Sequence, residues 1–269
     1  MAHNESGFDE TLSTRAILAV IETGRGIEEL ERYGVIKQIQ RLQESTTSDK
    51  ESLFKIEWNF LPWLDRFSTG SPVTLENRLS SDPSFFAELI RLVFRPRDSE
   101  EQEHEKPDKR TASLARNAYK LLNEWRLCPG KKDDGRIAAG AFESWIEEAQ
   151  RLTEESGHGD IAQRQIGHVL VYAPEDAGGL WIDKAVANVL NSRHAEKMRS
   201  GFTTQLFNDR GVHTYTHGEE ERRLAAENRE KAESLEQNGF TRFAAEMREF
   251  AERYERQADV EEKRHPIDD

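Results

Sequence analysis

Residues 219–264 decide the fold class of this 269-residue chain, and they read EEERRLAAENREKAESLEQNGFTRFAAEMREFAERYERQADVEEKR. In the second half of this stretch, apolar residues recur at steps of three and four: Phe240, Phe243, Ala244, Met247, Phe250, Ala251, Tyr254 and Ala258. Charged residues lie between them, as in a helix that buries one face. The first half carries a thinner stripe: Leu224, Ala225, Asn228, Ala232 and Leu235. The sequence therefore predicts two helices that meet at Asn238-Gly239.

The same helical periodicity extends through most of the chain. No stretch shows the sustained period-two alternation of a half-buried strand. The fold class predicted is therefore all-α, without significant sheet, as an irregular, α-solenoid-like stack of helical hairpins. The last hairpin, residues 219–264, ends in polar residues that offer no apolar stripe to a further repeat. We interpret it as a capping hairpin.

Local signals predict where several helices begin and end. Asp82-Pro83 places a capping carboxylate directly before a proline at the first helical position, which predicts a helix start. Ser48 is followed three residues later by Glu51, the spacing of a capping box. Pro62 lies inside an apolar helical pattern, so it is expected to kink or break that helix.

Residues 95–110, RPRDSEEQEHEKPDKR, indicate a possible boundary. Eleven of these 16 residues are charged and two are prolines. Such a segment suits a linker between domains and equally a long solvated loop within one domain. The sequence predicts an N-terminal helical subdomain over 1–94, a charged linker or loop over 95–110 and a C-terminal helical subdomain over 111–269.

Composition limits the functional classes. The formal net charge is −13, with 33% charged and 36% hydrophobic residues. A nucleic-acid-binding protein usually carries a basic footprint, so no nucleic acid is expected as a partner. No apolar run approaches the roughly 20 residues that span a bilayer, and no signal-type segment follows Met1. The single cysteine, Cys128, fits a reducing compartment. We expect a cytoplasmic protein that does not bind membranes.

The loop predicted over 207–218, just before the last hairpin, is the candidate binding site. Asn208, Asp209 and Arg210 supply directional hydrogen bonds, and Tyr215 supplies a flat contact surface. Binding residues often lie on loops that a rigid scaffold positions. The alternative interpretation is structural: Asp209 and Arg210 tie this loop to neighbouring helix ends.

His213 and His217 form the densest cluster of metal-ligand residue types. Two histidines four residues apart share a metal when both lie on one helix face, but these lie in a predicted loop, and the glutamate of an H-E-x-x-H motif is absent. A plain surface loop is the alternative. We expect no cofactor, and no motif in the sequence identifies a reaction.

Several segments resemble the C-terminal regions of large bacterial multidomain proteins of the signalling or defence type. The resemblance is carried by FLPWL at 60–64, DPSFF at 82–86, LLNEWR at 121–126, IGHVLVYAP at 166–174, NDRGV at 208–212 and the closing hairpin. It implies a helical, repeat-like tail that acts as a sensor or docking surface, and it brings no catalytic residue with it. The closing hairpin is also loosely similar to HEAT and tetratricopeptide pairs.

The main functional hypothesis is a non-catalytic helical scaffold that binds another protein, or an upstream domain of a larger assembly. A groove of helix faces and the 207–218 loop would provide the contacts. The competing hypothesis is an enzyme, or a metal- or nucleotide-responsive module. Its site would be built from Asp209, Arg210, His213, His217 and a glutamate that converge in one pocket.

Overall fold

The computed structural model describes residues 8–24, 26–67, 69–97, 108–211 and 216–264. These residues form helices joined by turns and loops and no β-strand, with one isolated bridge between Lys131 and Ile137. The helices are α1 Glu10–Thr23, α2 Glu29–Glu44, α3 Lys50–Phe60, α4 Val73–Ser81, α5 Pro83–Val93, α6 Lys109–Glu124, α7 Ala139–Glu155, α8 Gly159–Leu170, α9 Lys184–Asn191, α10 Glu196–Asp209, α11 Glu219–Gln237 and α12 Thr241–Arg264. The all-α prediction is confirmed for this part of the chain.

Helix contacts divide the chain into two units. The first unit consists of residues 1–79 and 102–125, which contain α1 to α3, most of α4, and α6. The second consists of residues 80–101 and 126–269, which contain α5 and α7 to α12. The predicted subdomains, 1–94 and 111–269, differ from these two units. Helix α5 belongs to the second unit, because it packs on α7 and α8. Helix α6 instead packs on the 3-10 turn Leu61–Trp63 of the first unit. Most of the predicted linker, residues 98–107, lies outside the described residues.

A buried carboxylate organises the first unit. Glu57 on α3 is fully buried and accepts hydrogen bonds from the backbone N–H groups of Thr74 and Leu75, at 3.1 and 3.0 Å. It therefore satisfies two of the unpaired donors in the first turn of α4. The Gln43 side chain donates a further bond at 2.8 Å. Burial nevertheless raises the pKa of this carboxyl, against the effect of these hydrogen bonds.

One hydrophobic cluster of the first unit is aliphatic with one phenylalanine. Its buried members are Ile17, Ile39, Leu42, Leu53, Ile56, Phe60 and Leu64. They come from α1, α2 and α3 and from the segment after α3. Helix α3 ends at Phe60, and Pro62 lies in the following 3-10 turn, so the break expected at this proline is confirmed.

Two glycines bring α8 and α10 into close contact in the second unit. A Cβ atom placed on Gly167 would lie 2.0 Å from the backbone oxygen of Met198, and one on Gly201 would lie 2.1 Å from the backbone oxygen of Arg164. Neither distance is possible between real atoms, so only glycine permits this approach. Phe202, next to Gly201, is fully buried and meets the Phe243 ring edge-on at 5.2 Å.

The closing hairpin has the helix bounds and turn that the sequence predicts. Helix α11 ends in a Schellman motif: Phe240 N–H bonds to Leu235 C=O and Gly239 N–H to Glu236 C=O, both at 2.9 Å. Gly239 has the positive φ of 85° that this motif needs. The start of α12 is capped from a distant helix end, because Asn191 Oδ1 accepts from Arg242 N–H at 2.8 Å.

Candidate functional site

The predicted binding loop begins later than expected. Asn208 and Asp209 lie in the last turn of α10, Arg210 is its C-cap residue, and Gly211 leaves the helix with a φ of 69°. The prediction that 208–209 are loop residues is therefore wrong, because α10 continues until the glycine.

The rest of the predicted loop is described only in part. Residues 212–215 lie outside the described residues; they include His213 of the proposed metal pair and Tyr215 of the proposed binding residues. Of the proposed metal pair, His217 is described and precedes Gly218, where the backbone approaches α12. A Cβ atom on Gly218 would lie 2.8 Å from the backbone oxygen of Ala258, and its φ of 81° also favours glycine.

Asp209 contacts the turn that follows α8, and its own helix. Its carboxylate accepts a 2.6 Å hydrogen bond from the Tyr172 hydroxyl and a 2.8 Å bond from the Gln205 side chain. The Arg126 guanidinium lies 4.6 Å from the centre of the Tyr172 ring. Burial and the bond to Asp209 both raise the pKa of Tyr172, which keeps the hydroxyl protonated as a donor. Asp209 thus links the end of α10 to the turn that follows α8.

Arg210 contacts a different partner. Its guanidinium pairs with the carboxylate of Glu221 on α11, and the two side chains are only 8% and 1% exposed. The same guanidinium lies 5.6 Å from the centre of the Tyr254 ring on α12. Arg210 therefore joins three helices, and a charge pair this deeply buried is strongly destabilising to break.

A pocket opens above this buried pair, and we call it the α10–α12 pocket. Its volume is about 370 Å³, and apolar atoms form most of its lining. Its lining includes Phe207, Arg210, Glu221, Arg253, Arg256 and Val260. Val260 is 47% exposed, so one wall of the pocket presents an apolar side chain to solvent. Pockets of this size and apolar character are typical of binding sites.

The rim of the pocket carries exposed positive charge. Arg253 forms no salt bridge within the described part of the chain and lies 5.8 Å from the Phe250 ring centre. Arg256 has only a 3.7 Å contact to Glu252, with both side chains at least 60% exposed. Such an exposed pair holds the arginine weakly.

The pocket wall includes buried polar atoms that lack hydrogen-bond partners. Among them are the Nε of Arg210 and the side-chain oxygen of Gln257. Buried polar atoms are usually paired, and leaving one unpaired costs about 1–3 kcal/mol. A small side-chain shift that admits a donor and an acceptor would satisfy both atoms.

Two further surface grooves are present in the second unit. One, of about 420 Å³, lies between α7, α9, α10 and α12 and is lined by polar residues that include Glu143, Glu147 and Arg242. The other lies beside Trp181 and Lys231. Neither of these grooves has unpaired buried polar atoms among its lining residues. The α10–α12 pocket is therefore the best candidate site.

Chemically reactive groups do not converge in the described residues. No group of three histidine, cysteine, aspartate or glutamate side chains is placed to hold a metal ion in the described ranges. Cys128 is fully buried, and burial raises the pKa of its thiol, with Asp183 acting in the same direction. Such a thiol is a packing group, because the thiolate is the reactive form.

His168 on α8 provides a test of the electrostatics beside Asp209. Burial lowers the pKa of His168, and the Arg126 charge lowers it further, whereas Asp209 raises it. In the unfolded chain His168 has its ordinary pKa of about 6.5. As the pH falls, it therefore takes up a proton in the unfolded chain before it does so in the folded chain. We therefore expect the free energy of unfolding to decrease between about pH 6.5 and the lower pKa of folded His168.

The variant His168→Gln removes this titration. Chemical denaturation at pH 7 and pH 5 should show a smaller loss of stability on acidification for the variant than for the parent chain. An equal loss in both proteins would show that folded His168 has an ordinary pKa.

Arg210 was predicted from the sequence as a binding residue, whereas the other residues that line the pocket were not. Arg253, Arg256 and Val260 follow each other at steps of three and four, next to the buried stripe of α12. An apolar Val260 beyond the edge of that stripe was the available signal. Glu221 offered none, because it is one of three consecutive glutamates at the start of α11.

Comparison with known proteins adds no assignment, since no protein-family model, curated protein or solved structure matches the chain. Among the described residues, no helix combines the length and apolar character that crossing a membrane requires.

Proposed function

We propose that this chain is a non-catalytic, α-helical docking module that binds a protein partner, or another part of a larger protein, through the α10–α12 pocket. The observation that carries the proposal is the pocket itself: apolar, about 370 Å³, with the half-exposed Val260 on its wall. An apolar cavity with a charged rim is the usual form of a site that receives an anchoring side chain.

The organisation of the helices supports this function. The Arg210–Glu221 pair and the contact of Gly218 with Ala258 fix the helices around the pocket. A preformed pocket binds with little loss of conformational entropy. The resemblance to helical tails of bacterial signalling or defence proteins is in line with a docking or sensing role, and we place that role in the cytoplasm.

The competing enzyme hypothesis gains less support from the described contacts. It requires Asp209 and Arg210 to face one centre, whereas Asp209 bonds to Tyr172 and Arg210 pairs with Glu221.

Selection of binders from a random peptide library on the purified chain tests the proposal. We expect enriched peptides whose affinity falls about fivefold in Val260→Ser, because roughly half of the apolar contact of a valine is removed. The matched control is Phe67→Ser in the first unit, where the ring is 94% exposed; affinity should be unchanged. The proposal fails if no peptide is enriched, or if the enriched peptides bind Val260→Ser as tightly as the parent chain.

A further inference from the structure

The charges around the α10–α12 pocket specify the kind of segment that fits it. The lining carries three arginines, Arg210, Arg253 and Arg256, and two glutamates, Glu221 and Glu261. Glu221 is buried against Arg210, which leaves Arg253, Arg256 and the negative Glu261 as the other charged residues of the lining. Three arginines and two glutamates give the lining a small positive formal charge, on a chain whose formal net charge is −13.

The apolar and cationic parts of the site lie side by side. Arg253, Arg256 and Val260 occupy one face of α12, one helical turn apart. A ligand whose apolar group enters beside Val260 would place its next residues over the two guanidinium groups. Guanidinium groups bind carboxylates in a bidentate manner.

We propose that the occupant of this pocket is an acidic protein segment: one apolar side chain that enters the pocket, followed directly by aspartate or glutamate residues that pair with Arg253 and Arg256. The inference rests on the proposed docking function and specifies its partner by chemistry. A peptide group of the segment also supplies a carbonyl for the Nε of Arg210 and an N–H for the side-chain oxygen of Gln257, both of which are buried without a hydrogen-bond partner.

Two fluorescein-labelled probe peptides test the inference. One is acetyl-Gly-Ser-Leu-Asp-Glu-Ser-Gly-amide, and the other carries Asn and Gln in place of Asp and Glu. Fluorescence anisotropy with the full chain should show that the acidic peptide binds about tenfold more tightly. Two arginine–carboxylate pairs, each near the upper end of the free-energy range of exposed ion pairs, together give about this ratio of affinities. The advantage should shrink as salt rises from about 0.1 M to about 1 M, because the Debye length falls from ~10 Å to ~3 Å.

Variants assign the effect to the rim. In Arg253→Gln/Arg256→Gln the two peptides should bind equally, at the affinity of the neutral peptide. The control Arg91→Gln/Arg193→Gln removes the same charge from two exposed arginines outside the pocket lining and should preserve the tenfold preference.

The outcomes separate this inference from the docking function. If both peptides bind equally to the parent chain and both lose affinity in Val260→Ser, docking stands and the acidic partner is wrong. If neither peptide binds, the acidic-segment inference is contradicted, and the peptide-library selection decides whether docking stands. If sedimentation shows self-association that Val260→Ser abolishes, the occupant is a second copy of the chain, and the acidic-segment inference is overturned.

Discussion

Gly201→Ala is expected to lower the free energy of unfolding of the second unit by about 3 kcal/mol, at the upper end of the usual cost of overpacking. The added Cβ would lie 2.1 Å from the backbone oxygen of Arg164. A backbone atom cannot rotate away as a side chain can, so α8 and α10 must separate. That separation would loosen the packing of Phe202, the next residue on α10, which is fully buried and packs on Phe243 of α12.

Gly140→Ala is the matched control for this prediction. Gly140 lies in the first turn of α7, and a Cβ atom there would meet nothing within 4 Å. Alanine should leave stability unchanged or raise it by about 0.5–1 kcal/mol, because it restricts the unfolded chain. Urea denaturation followed by circular dichroism measures both variants. A Gly201→Ala variant as stable as Gly140→Ala would contradict the close crossing of α8 and α10.

Glu221→Ala is expected to destabilise the second unit by about 3–5 kcal/mol, because it leaves the Arg210 guanidinium buried without its carboxylate. Both side chains of this pair are at least nine-tenths buried, so solvent screens the lost interaction little. Glu227→Ala is the matched control on the same helix. Its partner Arg223 is 54% exposed, and the change should cost less than about 1 kcal/mol.

A double variant separates the cost of the unpaired charge from the cost of the lost contact. Arg210→Met/Glu221→Met replaces both charges with apolar groups, and such replacements are often neutral or stabilising. We therefore expect the double variant to be more stable than Glu221→Ala. Thermal unfolding measures the difference. If the double variant is less stable than Glu221→Ala, the expected cost of an unpaired buried charge is wrong, and the charge pair itself stabilises the fold.

The closing hairpin was predictable because its signals are local. The apolar stripe of α12 and the Asn238-Gly239 turn both lie within short stretches of sequence, and the structure has them in the expected places. The same holds for Asp82, which caps α5 by accepting from Ser84 N–H. The Ser48 capping box was wrong by one position, since Asp49 accepts from Ser52 N–H and caps α3.

The features that build the site were not predictable, because each joins distant segments. The glycines of α8 and α10 give no periodic signal, and their role depends on a partner helix about 35 residues away. Asn191 caps α12 from the end of α9. Glu221 is distinguished from its neighbours only by the position of Arg210. The grouping of α5 and α6 likewise depends on which helix each one packs against.

Methyl NMR on Val260 tests most directly whether a protein segment binds in the α10–α12 pocket. The chain would be labelled at valine methyl groups and titrated with the acidic probe peptide described above. We predict that the Val260 methyl signals shift in proportion to peptide binding, whereas those of Val73, exposed in the first unit, stay constant. Binding of the peptide with unchanged Val260 signals would show that it binds elsewhere, which would contradict the proposed site.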